Sequence, residues 1–194
     1  MKRDIKEKII EATIKLIEER ESNPEDITVR DICSAAEIGL SQINYHFQTK
    51  ENLLAQCIQV MIGGVIDAFP IVLASVAGGS AVDTLKRMML NTLNFLYLNE
   101  NISRISILTD HKTARQNDNT AQTIEVYCPL IAATCEERNI QEDPKKLTTM
   151  MILTLQGIFL RTNVIKDDWG LDLRSESGRK QLIDEYVDSI FRQA

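Results

Sequence analysis

The sequence predicts an all-α fold, with a small helix-turn-helix domain at the N-terminus and a larger helical domain after it. Two observations lead to this fold class. Apolar residues recur at helical spacing along most of the 194 residues, and no segment reads as a strand. Residues 28–54 read as two short helices joined by a tight turn, with a third helix beginning directly after them.

The first helix is predicted over residues 3–21. One apolar stripe at helical spacing supports it, formed by Ile5, Ile9, Ala12, Leu16 and Ile17. The run Ser22-Asn23-Pro24 then ends this helix.

The second helix is predicted over residues 28–36. Thr28 can cap its start, with Asp31 three residues on as the partner in a capping box. Ile27 before the cap and Ile32 after it have the spacing of a hydrophobic staple. These signals fix where the helix begins.

The turn Glu37-Ile38-Gly39 leads into a helix over residues 40–47. We expect Ile38, Ile43 and Phe47 to pack in the core. Thr49 then caps the next helix, and Lys50 lies in the first turn of that helix. A helix-turn-helix of this kind places one helix in the DNA major groove.

Helices are also predicted through the rest of the chain. The fourth runs from Lys50 toward Gly63-Gly64, and Pro70 should end or kink any continuation to Phe69. The later helices are predicted over residues 81–98, 102–111, 121–138 with a kink at Pro129, 144–166 and 176–192.

The N-terminal segment resembles the DNA-binding domain of the TetR family of bacterial transcriptional regulators. The matching residues are Thr28, Arg30, Asp31, Ile32, Ala36, Ile38, Tyr45, His46, Phe47, Lys50, Glu51 and Leu53. The segment YHFQTKENLL, residues 45–54, is the most specific part. The resemblance implies a three-helix DNA-binding domain over residues 1–49 and a helical regulatory and dimerisation domain over residues 50–194.

Three residues depart from the usual pattern of that family. Glu37 stands where the family has a turn glycine, so we expect strained backbone there. Gly39 replaces a serine cap and is tolerated as a cap itself. Asn44 replaces a common tyrosine, which affects individual DNA contacts more than the fold.

Eight residues are candidate DNA contacts: Thr28, Arg30, Ser41, Gln42, Asn44, Tyr45, His46 and Lys50. The last three suit phosphate oxygens, and Thr28 can offer its hydroxyl or the N–H groups of its helix start. Core packing is the alternative for Tyr45, and an internal hydrogen bond is the alternative for His46.

The polar residues in the first half of the 40–47 helix are placed to meet base edges. Gln42 or Asn44 can read adenine with two hydrogen bonds, and Ser41 lies beside them. Plain solvent exposure is the alternative for these three side chains.

Charge does not support DNA binding at the level of the domain. The net charge of the chain is −6, and residues 1–60 hold eight Lys or Arg against eleven Asp or Glu. Basic residues cluster only locally, as Lys2, Arg3, Lys6 and Lys8 near the start and as Arg30 and Lys50 beside the 40–47 helix.

Six residues are candidate contacts for a small organic effector: Gln156, Asn94, Tyr97, Arg104, His111 and Tyr127. Gln156 is the first choice, because a buried amide needs a hydrogen-bond partner. Met88, Met89 and Met151 would give a soft wall to such a pocket, and ordinary core packing is the alternative for them.

The last two predicted helices, residues 144–166 and 176–192, carry more apolar surface than a chain terminus easily covers alone. The band in the final helix comprises Leu182, Ile183, Tyr186, Val187, Ile190 and Phe191. We expect a homodimer through these helices, whose two-fold symmetry would match a palindromic DNA site. Burial within one chain is the alternative.

Nothing in the sequence indicates an enzyme, a cofactor or a metal site. The chain has no P-loop, GxGxxG or GxSxG motif, and its two histidines are His46 and His111. Asp110 and His111 are adjacent on a helix and point about 100° apart, so they do not suit one site.

Other features bear on the cellular compartment. Cys33, Cys57, Cys128 and Cys135 form no CxxC pair, so we expect reduced thiols. We find no signal-peptide apolar region at the N-terminus, and no apolar run reaches the ~18–20 residues of a membrane span. We therefore expect a cytoplasmic protein without a membrane partner.

Three functions stay open at this stage. The first is a ligand-responsive repressor that binds a palindromic operator as a dimer. The second is a helical enzyme or ligand-binding protein whose helix-turn-helix is only structural. The third is an adaptor without DNA binding, which the acidic balance of the first 60 residues supports.

Overall fold

The computed structural model describes residues 4–19, 24–76 and 78–192. Within them it contains one 3₁₀ turn, Pro24–Asp26, eleven α-helices and no strand, so the all-α prediction is confirmed. The helices are α1 (Ile5–Glu19), α2 (Val29–Ala35), α3 (Leu40–Phe47), α4 (Lys50–Asp67), α5 (Phe69–Val76), α6 (Ala81–Leu98), α7 (Glu100–Thr113), α8 (Asn119–Arg138), α9 (Pro144–Leu160), α10 (Thr162–Trp169) and α11 (Glu176–Ile190). The predicted residues Lys2, Arg3, Ser22 and Asn23 lie outside the described residues.

The chain divides into two compact units. The first comprises Met1–Gly64 and Asn101–Thr113, so it holds α1 to α3, most of α4 and nearly all of α7. Its buried core includes Ile9, Ile32, Ile43, Phe47 and Leu53. The predicted staple residues Ile27 and Ile32 both belong to this core, which confirms their inward placement.

The second unit comprises Val65–Glu100 and Ala114–Ala194. Helices α6, α8, α9 and α11 pack around its core, which includes Leu85, Met88, Met89 and Leu93 from α6. The functional division predicted between residues 49 and 50 stays a prediction.

The helix predicted over residues 144–166 is wrong in one respect, because it is interrupted at Arg161. α9 ends at Leu160 and α10 begins at Thr162. The Thr162 hydroxyl donates to the Phe159 carbonyl at 2.6 Å and also pairs with the Tyr97 hydroxyl at 2.7 Å. A threonine hydroxyl that takes up a backbone carbonyl competes with the helical ladder.

Two other boundaries differ from the predicted ones. The break expected over residues 99–101 is confined to Asn99, whose side chain donates to the Phe95 carbonyl at 3.0 Å. α4 continues through Gly63 and Gly64 to Asp67, and Pro70 is the second residue of α5. Proline is tolerated in a first helical turn, because the backbone N–H groups there have no intrahelical partner.

The apolar band of the final helix is mostly buried within its own unit. Leu182, Ile183, Val187 and Phe191 are at most 5% exposed. Tyr186 and Ile190 are half-buried against the same core. Burial within one chain therefore accounts for these four residues, and a dimer contact through α11 stays a prediction. Exposed apolar residues occur on α9 and α10.

The stretch Lys50–Ser75, which includes α4 and the first part of α5, is long and apolar enough by length and composition to cross a membrane. The prediction that no apolar run reaches the length of a membrane span is therefore wrong for this stretch, which is interrupted internally by the charge of Asp67. A core helix of a soluble protein can have the same length and composition. In the most apolar part of Lys50–Ser75, 17% of the residues are buried.

Candidate nucleic-acid interface

The start of α2 is built as predicted. The Thr28 hydroxyl accepts from the Asp31 backbone N–H at 3.2 Å, and the Asp31 carboxylate accepts from the Thr28 N–H at 2.9 Å. The hydroxyl also donates to that carboxylate at 2.8 Å. The Thr28 hydroxyl is thus used in the cap. A phosphate at this helix start would therefore be bound by the first backbone N–H groups of α2.

The turn before α3 confirms both expectations for its backbone. Glu37 has a φ of 50°, in the left-handed region that favours glycine. Gly39 caps α3 in an extended conformation without a side-chain hydrogen bond. Ile43 and Phe47 are at most 2% exposed, so they anchor α3 in the core and fix which of its faces points outward.

The outward face of α3 consists of Leu40, Ser41, Asn44 and Tyr45, all of which are exposed. Gln42 is half-buried beside this face. Ser41 and Asn44 therefore present polar groups at the N-terminal part of the helix, as base reading requires. Their contact with bases stays a prediction.

Tyr45 and His46 form the second half of this surface. Tyr45 is 81% exposed, which removes the core-packing alternative for it. Its ring meets the His46 ring edge-on, with centroids 4.9 Å apart. Neither side chain has a hydrogen bond within residues 4–19, 24–76 and 78–192, so both retain donors for a phosphate oxygen.

The basic residues near α3 are partly engaged already. The Lys50 ammonium group donates to the Glu25 carbonyl at 2.7 Å, which holds it at the start of α4 and leaves two of its protons. Lys8 pairs with Glu37 at 3.4 Å, and Lys6 lies over the Phe47 ring at 5.9 Å. Arg30 is exposed on α2.

Gln156 is the most informative of the predicted ligand residues. It is 8% exposed, and its side-chain N–H donates to the Thr120 hydroxyl at 3.0 Å. The buried carbonyl oxygen of the same amide, Oε1, has no hydrogen-bond donor among the described residues. Burying a polar atom without a partner costs free energy, so a ligand that donates a hydrogen bond would be favoured there.

Three other predicted ligand residues lie in the second unit, and each has a side-chain oxygen that is already paired. Asn94 accepts from Arg179 at 2.6 Å, and the Tyr97 hydroxyl is bonded to Thr162. Tyr127 is fully buried and its hydroxyl pairs with Thr92 at 2.7 Å, so burial raises the pKa of its phenol. Among these four residues, the side-chain oxygen that lacks a partner is Oε1 of Gln156.

Arg104 and His111 belong to the first compact unit, whereas the other four candidates belong to the second. Asp110 is 4% exposed and accepts from Gln59 at 2.5 Å, whereas His111 is exposed. The two neighbours therefore point in different directions, as their helical spacing predicts.

A surface cleft of about 440 Å³ lies between the end of α8 and the start of α9. Its lining includes Cys135, Glu136, Asn139, Glu142 and Pro144, and none of the predicted ligand residues. The described part of the chain contains no group of three or more His, Cys, Asp or Glu placed to hold a metal ion.

All four cysteines are free thiols, as the sequence predicts. Cys57 and Cys135 are buried. Burial raises the pKa of the Cys57 thiol to about 12, against a smaller lowering by a hydrogen bond with Thr13. Such a thiol stays protonated at neutral pH and is unreactive.

One exposed residue of α3, Leu40, was not among the candidates. It is 56% exposed at the first position of the helix. The signal available in the sequence was its place next to the Gly39 cap, which sets it one turn before Asn44 on the outward face.

Comparison with protein families gives one match. Residues 9–57 match the sequence model described as bacterial regulatory proteins, tetR family. This segment runs from α1 through the turn and α3 to the first half of α4. Comparison with curated proteins gives no match.

Several solved structures share the fold at low identity. FadR from Bacillus subtilis, a transcriptional regulator solved with stearoyl-CoA, has a TM-score of 0.58 at 16% identity, over 97% of this chain and 98% of that chain. The fatty acid degradation regulator FadR from Bacillus halodurans has 0.58 at 19%, over 94% and 96%. A TetR transcription regulator from Haloarcula marismortui has 0.57 at 18%, over 96% and 97%.

Proposed function

Because residues 9–57 match the sequence model of the tetR family of bacterial regulatory proteins, we propose that this chain is a ligand-responsive transcriptional regulator. It binds a palindromic operator as a homodimer and represses transcription until a small organic effector releases it. The observation that carries this proposal is the outward face of α3, with Ser41, Asn44 and Tyr45 exposed above a buried anchor. Side chains so placed reach base edges and phosphates when α3 enters the major groove.

The dimer contact is proposed for α9 and α10. Their exposed apolar residues are Met150, Leu153, Val164 and Trp169, at 57%, 39%, 38% and 58% exposure. Met150, Leu153 and the small residue Gly157 recur three and four residues apart, so they share one helix face. A second copy of the chain would cover this face through a two-fold axis, as a palindromic site requires.

The effector is proposed to bind in the second unit beside Gln156. Its buried Oε1 accepts no hydrogen bond from the described residues, and the surrounding core is apolar. A compact, largely apolar molecule with one hydrogen-bond donor fits such an environment. Residues 61–194 hold 14 Lys or Arg against 17 Asp or Glu, which slightly disfavours a strongly anionic effector.

A helical ligand-binding or adaptor protein without DNA binding is the second candidate. The acidic balance of residues 1–60 favours it, as does the engagement of Lys8 by Glu37 and of Lys50 by the Glu25 carbonyl. A weak electrostatic attraction between this domain and DNA would lower the non-specific affinity in particular, because that affinity comes almost entirely from phosphate contacts.

Selection from random-sequence duplex DNA with the purified full chain separates these functions. The regulator is expected to enrich an inverted repeat whose half-sites lie about one helical turn apart. Failure to enrich any sequence at low salt would favour the adaptor. A thermal-shift screen of small apolar compounds then tests the effector, because a ligand that binds only the folded chain raises its melting temperature.

A further inference from the structure

Leu40 is an exposed apolar residue at the first position of α3, with 56% of its surface accessible. Single exposed leucines are common on protein surfaces, so exposure alone carries no meaning. The position of Leu40 is informative, because this residue lies on the outward face formed with Ser41, Asn44 and Tyr45. Every other residue of that face has a polar group.

The location of Leu40 on the helix limits what it can meet. Leu40 and Asn44 are one turn apart, so their side chains are neighbours along one edge of the helix. The N-terminal residues of a recognition helix are those that approach base edges. A leucine there makes no hydrogen bond, and therefore cannot recognise the donors and acceptors of a base.

The major groove presents one apolar feature at the base edges, the C5-methyl group of thymine. We propose that Leu40 packs against such a methyl group in each operator half-site, next to the base pair contacted by Asn44. Leu40 is then a specificity residue that selects thymine over cytosine by removing a methyl group from water. This inference rests on the proposed DNA-binding function.

The local structure indicates that Leu40 is available to contact a base and is not needed to pack α3 against the core. Ile43 and Phe47 supply the buried contacts of α3, at 1% and 2% exposure, and Leu40 adds none of comparable depth. Leucine and alanine are both good helix formers, so shortening this side chain leaves the helix intact.

The test uses a duplex selected by the full chain, in which each thymine is replaced in turn by deoxyuridine. This change removes only the C5-methyl group. For the wild-type chain we expect one symmetric pair of positions at which the loss weakens binding about threefold to tenfold, the range for one methyl group returned to water. Leu40→Ala should bind the thymine and deoxyuridine duplexes equally at that pair.

Two controls keep the assignment specific. Leu98→Ala shortens another exposed leucine, at 83% exposure on α6, and should retain the full methyl dependence. Circular dichroism of Leu40→Ala verifies that its helices are intact. The deoxyuridine replacements in the wild-type experiment change only the DNA, so that experiment does not depend on the folding of a variant.

Each outcome decides the question. Methyl dependence in the wild type that persists in Leu40→Ala, or none at any thymine, overturns the inference and leaves the regulator proposal standing. Failure of the wild-type chain to enrich any DNA overturns both. Methyl dependence lost only in Leu40→Ala supports both.

Discussion

Glu37 holds a left-handed backbone conformation at the turn between α2 and α3. A residue with a Cβ atom is strained there, and glycine is not. The ion pair that Glu37 makes with Lys8, 3.4 Å long and exposed to solvent, offsets little of that strain.

We therefore predict that Glu37→Gly stabilises the chain by about 1 kcal/mol relative to Glu37→Ala. Both variants lose the ion pair with Lys8, so their difference isolates the backbone. Chemical denaturation of the two variants gives this difference in the free energy of unfolding. Equal stability would show that the turn is unstrained.

Lys50 is expected to contact a phosphate from the first turn of α4, where the helix dipole also favours an anion. Lys50→Ala should weaken binding about equally on all DNA sequences and reduce the slope of log K against log salt by ~1. Lys15→Ala is the matched control, because it removes the same charge from a lysine paired with Glu19 on α1. An unchanged slope with altered base preference would refute the phosphate role.

Sequence reasoning at this scale succeeded where the cause is local. The capping box of Thr28 and Asp31 and the backbone strain of Glu37 depend on neighbours within three residues or on one turn. The hydrogen bond from Lys50 to the Glu25 carbonyl joins residues 25 positions apart, so no local sequence pattern predicts it.

Among the helices, α9 carries the exposed apolar face proposed for the dimer. Met150→Asp would place a charge at its most exposed apolar position, where the free chain tolerates it and a covered interface does not. We predict a folded monomer by sedimentation, with palindrome binding lost before half-site binding.

Leu98→Asp is the control for Met150→Asp, since Leu98 is 83% exposed on α6, outside the proposed interface. It should remain dimeric. Tyr186→Asp and Ile190→Asp are expected to unfold the chain, because both residues pack against the core of the second unit. A wild-type chain that sediments as a monomer at micromolar concentration would exclude the dimer.

The limits of sequence reasoning about helices show at the C-terminus. The apolar period of α11 is visible in the sequence, but a period does not say whether its partner is α6 of the same chain or a second copy. Likewise, the Thr162 hydroxyl next to the break at Arg161 is hydrogen-bonded to Tyr97, 65 residues away.

For the whole molecule, effector and operator must influence each other equally. An effector that weakens operator affinity by some factor is itself bound more weakly by the operator complex by that factor, typically ~1–3 kcal/mol of coupling. Titration calorimetry of a thermal-shift hit, with and without operator, measures both sides. A hit that stabilises the chain and leaves operator affinity unchanged would indicate a binding protein.

The sequence identified the overall class of the molecule better than its ligand site. YHFQTKENLL at residues 45–54 indicated the family, because unrelated helical hairpins rarely carry this residue pattern. Gln156 stood out as an amide in an apolar run, but Asn94, Tyr97 and Tyr127 are paired within the core through residues distant in sequence. Such pairing is set by tertiary packing.

The most direct test of the central claim, that α3 reads DNA, compares the wild-type chain with the double variant Gln42→Ala, Asn44→Ala. Binding to the selected duplex and to a scrambled duplex is measured at one salt concentration. The wild type should prefer its own site by at least about 10³-fold, and the variant should lose at least ~1–3 kcal/mol of that preference at one base pair while its non-specific affinity stays. If the double variant kept the full preference, base reading would not lie in these residues of α3.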